Sequence, residues 1–221
     1  AYTMKSGETI IFETPDCWGN ALTEAITKGE LYAKGLEMNP CGGPVQVEGA
    51  EPGDTLKIDV IDIEVGEAGH LAIYKPEFGV LAKYLDGDQT IKVSVVDGTA
   101  KLHGKYEIPI RPMLGVLAVT PPGEKLSTLL SGTYGGNMDC NILNKGTTLY
   151  LPVQVEGAKL ITGDVHALQG NGEVLASLEI PAKITLKVEL IKGRQEKWPV
   201  LETEDSWSMI TSGLTSDEAN T

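Results

Sequence analysis

What is scarce in this chain narrows the field before any motif does. Only 18 of its 221 residues are Lys or Arg, against 31 Asp or Glu, for a formal net charge of −13. Such a surface repels phosphate backbones and anionic lipid, so nucleic acid and membrane surfaces are poor partners. Acidity also favours solubility, so the charge by itself points to no substrate. No apolar run approaches the roughly 18 to 20 residues of a membrane span. Three cysteines, Cys17, Cys41 and Cys140, stand at irregular spacing. An odd, irregular set is a poor disulfide framework and fits a reducing cytoplasm better than secretion. No charged leader with an apolar core and cleavage site opens the sequence. Gly-x-Ser-x-Gly, Walker, dinucleotide and Cys-x-x-Cys patterns are all missing, which weighs against nucleotide cofactors and serine-hydrolase chemistry.

What is there reads as a mainly β domain. An apolar share of 41% and a charged share of 22% are ordinary for a soluble globular protein, and 221 residues suit one large domain or two small ones. Ile10 to Thr14 predicts a strand. Thr55 to Ile63 alternates Leu56, Ile58 and Val60 with Lys57 and Asp59, and Ile184 to Ile191 alternates likewise before a Lys192-Gly193 turn. Ile91 to Val96 and Lys101 to Tyr106, joined through Asp97-Gly98, predict a hairpin. Helical spacing of Leu22, Ala25 and Ile26 predicts a short helix from Asn20 to Ala33. Gly66 to Asp88 has no steady period and predicts a long loop or mobile cover. Thr215 and Glu218 have capping-box spacing, as if a helix were beginning.

One stretch occurs twice. Pro44-Val45-Gln46-Val47-Glu48-Gly49-Ala50 returns as Pro152-Val153-Gln154-Val155-Glu156-Gly157-Ala158, and each copy is soon followed by Gly-Asp. This predicts two related β units, about residues 1–120 and 121–221, within a single 1–221 domain. The alternative is one favoured strand-turn sequence used twice.

The chemistry concentrates between Tyr134 and Val174. A Gly-Gly-Asn turn delivers Asp139, and Gly163-Asp164-Val165-His166 is followed by Gln169-Gly170-Asn171-Gly172-Glu173. On an extended segment Asp164 and His166, two apart, point the same way. With Asp139 and Glu173 they would make a mixed oxygen and nitrogen shell for a divalent ion. Imidazole with carboxylates favours Zn²⁺ over Ca²⁺, which prefers an all-oxygen shell. The plainer readings are a hydrogen-bonded histidine at a strand end for His166 and a turn residue for Asp139. His70 and His103 lack comparable neighbours, and His103 reads as a surface strand residue. Cys17 and Cys140 each follow an Asp, which raises a thiol pKa, so they read as small buried residues beside a polar pocket.

GGNMDC at 135–140, LYLPVQVEGA at 149–158, GDVHALQGNGE at 163–173, ETPDC at 13–17 and NPCGGPVQVEGAEPGD at 39–54 together resemble the acetamidase/formamidase family. The resemblance implies a β-sandwich-like fold with few short helices, a helical end beyond residue 221, and hydrolysis of a formamide- or acetamide-type amide to carboxylate and ammonia. Tyr134 and Asn171 depart from the family pattern, which usually has His or Phe and Asp there. In that setting Asp139, Asp164, His166 and Glu173 would hold the ion, and Glu173 would be the general base. Asn137 or a backbone N–H would stabilise the oxyanion. Asp16 would be an outer carboxylate, and Gln169 and Gly136 would meet the substrate. A cysteine nucleophile at Cys140 or Cys17, and a catalytically silent metal-binding β-sandwich, are the rival readings. A homodimer is left open.

Overall fold

The computed structural model describes residues 2–75, 81–123, 125–213 and 215–219. In chain order its strands begin with β1 (Tyr2–Met4), β2 (Thr9–Thr14), β3 (Cys41–Val47), β4 (Thr55–Val65), β5 (Ala68–Ile73) and β6 (Gln89–Val96). Next come β7 (Thr99–Leu102), β8 (Tyr106–Pro109), β9 (Met113–Ala118), β10 (Ser131–Gly132), β11 (Gly135–Asn137) and β12 (Thr148–Pro152). The last are β13 (Leu160–His166), β14 (Leu178–Glu179), β15 (Ala182–Ile191), β16 (Val200–Glu202) and β17 (Trp207–Met209). There are also two short α-helices, α1 (Lys28–Ala33) and α2 (Ser216–Ala219), and a 3-10 turn at Ala82–Tyr84.

The strands make two sheets. The larger runs β10-β11-β9-β13-β14-β5-β6-β7-β8, with β3 also on β13 and β1 parallel to β3; the smaller runs β17-β16-β12-β4-β15-β2. One core joins them: Leu56, Ile58, Leu149, Leu151, Ile184, Leu186 and Val188 from the smaller sheet meet Val45, Val93, Leu114, Leu117, Leu160 and Val165 from the larger. Burying one such side chain stabilises by about 1.5–3 kcal/mol. The predicted β-sandwich with few short helices is therefore observed.

The period-2 segments fold as read. In β15, Ile184, Leu186 and Val188 are buried, while the Lys183 and Lys187 side chains meet Glu13 and Glu189 at the surface. Asp97 and Gly98 take the positive φ values, 49° and 72°, that a two-residue hairpin requires. The two Pro-Val-Gln-Val-Glu-Gly-Ala copies end in the same turn. Gly49 and Gly157 both have φ 74°, and the Ala50 and Ala158 N–H groups donate to Val47 and Val155 carbonyls at 3.2 and 3.0 Å. The copies touch, with Val47 N–H donating to Gly157 O at 2.9 Å. The strand that runs into each copy pairs with the strand that follows the other: β12 with β4, and β3 with β13.

Three expectations fail. The helix is confined to α1, because Thr27 is its N-cap in a capping box with Glu30. The residues before it carry left-handed breaks at Asn20 (φ 64°) and Ala25 (φ 65°). Between Gly66 and Asp88 lies β5, paired along its length with β6; residues 76–80 of that span lie outside the described ones. His103 sits at φ 52° in the turn after β7, exposed, and is not a strand residue. The cover is instead the excursion from Pro15 to Pro40. It packs Cys17, Trp18, Leu22, Ile26 and Leu31 against Ala72 of β5. Thr90 Oγ donates to Ile26 O at 2.8 Å, and Thr128 Oγ to Met38 O at 3.3 Å, fastening the excursion at two points.

A candidate carboxylate–imidazole centre

The centre of the larger sheet is covered on both faces. All six residues of β9 are buried, and so is all of β13 except Ile161. Val165 of β13 enters the main core, whereas Asp164 and His166 are buried outside it. His166 is opposite Glu179 on β14, and Glu179 is opposite His70 on β5, so the three side chains share a face in one row. His70 thus stands nearer this centre than its sequence neighbours suggest.

Strand pairing and two local kinks bring the acids together. Asp164 has φ 54° and Asp139 φ 43°, so neither reaches the imidazole from plain extended backbone. Both pack over Gly115 of β9, where a Cβ would lie 2.5 Å from Asp164 Oδ2 and 2.9 Å from Asp139 Oδ1. A side chain at 115 would collide with both carboxylates. Around the ring, Asp139 Oδ1 is 4.0 Å from His166 Nδ1, and Asp164 Oδ1 and Glu179 Oε1 are 3.6 and 3.2 Å from Nε2. Gln169 Nε2 donates to the Asp139 carbonyl at 2.6 Å, which turns its Oε1 to His166 Nδ1 at 2.7 Å. Nδ1 is then the protonated nitrogen, and Nε2 faces the two carboxylates with its lone pair in the neutral ring.

Further partners tie the acids down. Asn39 Nδ2 donates to Asp164 Oδ2 at 2.9 Å and to Asn137 Oδ1 at 3.4 Å. Ser177 Oγ lies 2.7 Å from Glu179 Oε1 and also bonds Glu173 Oε1, which the Ser177 N–H reaches at 3.1 Å. Glu173 is exposed. Asn137 is thereby held with its Nδ2 free of that bond. Gln169 spends both ends of its amide on His166 and Asp139, so its contacts are with the site rather than the surroundings.

The remaining predicted residues stand apart from the ring. Asp16 Oδ1 accepts from the N–H groups of Trp18 and Asn20 at 2.9 and 2.7 Å, closing its own loop. Gly136 has φ 101° and packs so tightly that a Cβ would lie 2.2 Å from Leu130 O. Asn171 is exposed and accepts from Asn141 Nδ2 at 2.9 Å. The sequence reading missed Glu179, Asn39, Gly115 and Ser177. No local signal marks them: even Glu179, an acid between Leu178 and Ile180, reads in the sequence as a solvated strand residue.

The electrostatics are unusual for an interior. Among the described residues the ion-pair partner found for Asp139, Asp164 and Glu179 is His166 alone. Burial first, then Asp164 and Glu173, push Asp139 up to about 7. Burial and then Glu179 raise Asp164. Burial opposes the imidazolium, yet the Glu179 and Asp164 charges together outweigh it and raise His166 well above its usual value. Asp139 Oδ1, His166 Nε2, Glu179 Oε2 and Asn39 Oδ1 are all buried without an aligned hydrogen-bond partner. Ligand atoms of Asp164, His166 and Glu179 lie within 4.8 Å of one another, as do those of Asp139, His166 and Glu173. Orphaned oxygens and a nitrogen lone pair, with surplus negative charge, fit a divalent cation.

These features define a class: a β-sandwich protein with a buried carboxylate–imidazole centre under a loop cover. A family model for the Acetamidase/Formamidase family matches residues 1–130 and 123–210. The chain belongs to that family. It is 37% identical to the acetamidase of Bacillus halodurans, whose crystal structure superposes with a TM-score of 0.92 over 99% of this chain and 74% of that one. It is 26% identical to the acetamidase of Mycolicibacterium smegmatis, across 90% of this chain and 65% of that protein. The γ-lactamase of Delftia acidovorans, 21% identical, shares the fold at a TM-score of 0.79 over 96% of this chain and 67% of that one. The chain spans 65% and 62% of the lengths of the Mycolicibacterium smegmatis acetamidase and of a Schizosaccharomyces pombe protein named a putative formamidase. Among the described residues no helix is long and apolar enough to cross a membrane.

Proposed function

We propose that the protein hydrolyses a short aliphatic amide to a carboxylate and ammonia at the centre around His166, with a divalent cation as cofactor. The observation that carries this is the buried ring of Asp139, Asp164 and Glu179 around one imidazole, with no Lys or Arg paired to them among the described residues. The relatives named acetamidase and formamidase supply the substrate class.

Asp164, His166 Nε2 and Glu179 are the residues we assign to hold the ion, a set that adds Glu179 to the predicted ligands. A cation bound there supplies Lewis acidity and a lowered pKa for coordinated water. An imidazole among carboxylates favours Zn²⁺ over Ca²⁺. Gln169 fixes the imidazole tautomer and ties it to the Asp139 turn. Asp139 Oδ1, orphaned and facing the ring, suits the taking and returning of a proton better than Glu173, whose Oε1 is occupied by Ser177. Asn137, held by Asn39, offers its Nδ2 to the oxygen that gains charge as the carbonyl is attacked.

A cysteine nucleophile is the weaker reading. Burial first, then neighbouring carboxylates, raise Cys17 well above its usual value and Cys41 to about 12. Burial likewise raises Cys140. Each is pushed away from the reactive thiolate. The crosswise pairing of β12 with β4 and β3 with β13 supports reading the single domain as two related β units.

The test joins metal content with ammonia release. Protein purified without added metal is expected to carry close to one divalent ion per chain and to release ammonia from formamide or acetamide. His166→Ala is expected to lose both. Hydrolysis that survives exhaustive chelation but stops on thiol alkylation would overturn the proposal.

A further inference from the structure

The Pro15–Pro40 excursion roofs the centre, and its last residues are fixed from two sides. The Asn39 N–H donates to Cys17 O at 2.8 Å, which ties the end of the excursion to its beginning. Cys41, two residues on, is opposite Gly163 of β13, where even a Cβ would lie 2.9 Å from Pro40 O. Asp164 follows Gly163, so this close approach of two chains delivers Asn39 to the ring of acids. Asn39 has φ 55°, a left-handed conformation that Asn, Asp and Gly adopt more readily than other residues. Its side chain is buried.

That amide spends its Nδ2 on two site residues. It donates to Asp164 Oδ2 at 2.9 Å and to Asn137 Oδ1 at 3.4 Å, on β13 and β11, 125 and 98 residues further along the chain. Oδ1 of the same amide is buried without a partner. An amide packed only for stability has no reason to leave its oxygen dehydrated and unpaired. Turned over, it would face that oxygen to a carboxylate and to another amide oxygen, so its direction is set by the two groups it serves. One bond occupies Asp164 Oδ2 and leaves Oδ1 facing His166 Nε2 at 3.6 Å. The other makes Asn137 Oδ1 an acceptor and so decides which end of the Asn137 amide remains for the reaction.

We propose that Asn39 is a positioning residue through which the roof orients, with one amide, both the carboxylate assigned to the cation and the amide assigned to the developing oxyanion. This rests on the amidase reading above and couples two roles that it treats separately. Without the Asn39 N–H groups, Asp164 Oδ2 has no donor to hold it, and the carboxylate is free to turn from Nε2. Asn137 is equally free to turn over, and its oxygen would then repel the oxyanion that its N–H groups should stabilise.

Asn39→Gly keeps the left-handed turn and deletes the amide, and Asn39→Asp keeps the turn and the shape but not the donors. Each is expected to lower kcat for acetamide by about 10- to 100-fold, with KM changed by about twofold or less, because the lost bonds orient groups used at the transition state. Zn²⁺ binding to metal-free protein, followed by competition with a chromophoric chelator, should weaken by about 10- to 100-fold in Asn39→Gly. Should Asn39→Asp fail to fold, Asn39→Gly carries the test alone. A kcat within about twofold of wild type in either variant overturns the proposal, since the turn or the shape would then suffice. Unchanged Zn²⁺ affinity in Asn39→Gly overturns it as well. So does a lower Tm with kcat per folded molecule preserved, which is what a purely structural amide predicts. A wild type that hydrolyses amides while both variants match it sinks this inference alone. A wild type that hydrolyses none sinks the amidase reading and this inference with it.

Discussion

Strands β15 and β13 treat charge in opposite ways. In β15 the charged side chains point to water and find partners there, with Lys187 Nζ 2.6 Å from Glu189 Oε1 and Lys183 3.4 Å from Glu13. In β13 two ionisable residues, Asp164 and His166, are 3% and 0% exposed. The first strand stabilises the sandwich. The second costs stability, because buried carboxylates without enough positive charge repel one another and lose hydration. A fold that keeps such a strand at the middle of its larger sheet has traded stability for a site.

The difference is broken most severely at His166. His166→Ala is expected to lower kcat/KM by about 10³-fold or more, by removing the proposed nitrogen ligand and, among the described residues, the one ion-pair partner of the acids. Steady-state ammonia release checks it. By contrast Leu186→Ala, in the buried row of β15, should cost about 2–5 kcal/mol of stability and leave kcat of the folded enzyme unchanged. If the two variants fail in the same way, the contrast between the strands is wrong.

Gly115→Ala follows in size. Its Cβ would meet both Asp164 Oδ2 and Asp139 Oδ1, so the acids must move apart. A loss of about 10²-fold in activity is expected, by the sensitivity of such sites to small displacements, measured beside metal content per chain.

The pH dependence of metal-free protein carries the sign of the trade. Asp139 is raised from 3.8 to about 7, so the folded state binds its proton more tightly than the unfolded chain. Such a group favours folding fully below the unfolded pKa, and the advantage is lost as pH rises towards about 7. The full loss from Asp139 alone is about 4 kcal/mol at most. His166, also raised, acts in the same direction, with its contribution present below its unfolded pKa and lost above its folded one. Melting temperature of the metal-free protein should therefore fall between about pH 5 and 7.5, and Asp139→Asn should flatten the fall. A Tm that rises across this window would show that the acids are held in some other way.

Much of the sandwich was legible because period-2 alternation is a local signal, as in Leu56-Lys57-Ile58-Asp59-Val60. The meeting of Asp139, Asp164 and His166 was legible too, through glycine turns and the Asp-x-His spacing, although Asp164 arrives by a left-handed kink rather than an extended strand. Glu179 was not legible, because strand pairing across a chain separation brings it beside His166, and between Leu178 and Ile180 it resembles any solvated strand residue. Asn39 and Gly115 are site residues only through what packs on them. The cover was misplaced for a related reason. Thr27, in the middle of the segment predicted as helix, is instead the N-cap of α1, and the residues before it form the roof.

Asn171 gives the mildest prediction. It departs from the family pattern by replacing a carboxylate, and a lost ligand would reduce metal binding. The structure puts its side chain at the surface, accepting from Asn141 Nδ2 at 2.9 Å and clear of the ring of acids. An Asp there could accept the same bond, so Asn171→Asp should change kcat/KM and metal content by about twofold or less, as expected of exposed positions away from packed or charged features. A large gain in either quantity would mean that the Gly170–Gly172 loop turns inward when the site is loaded, and that the line between surface and centre runs closer to His166 than these contacts imply.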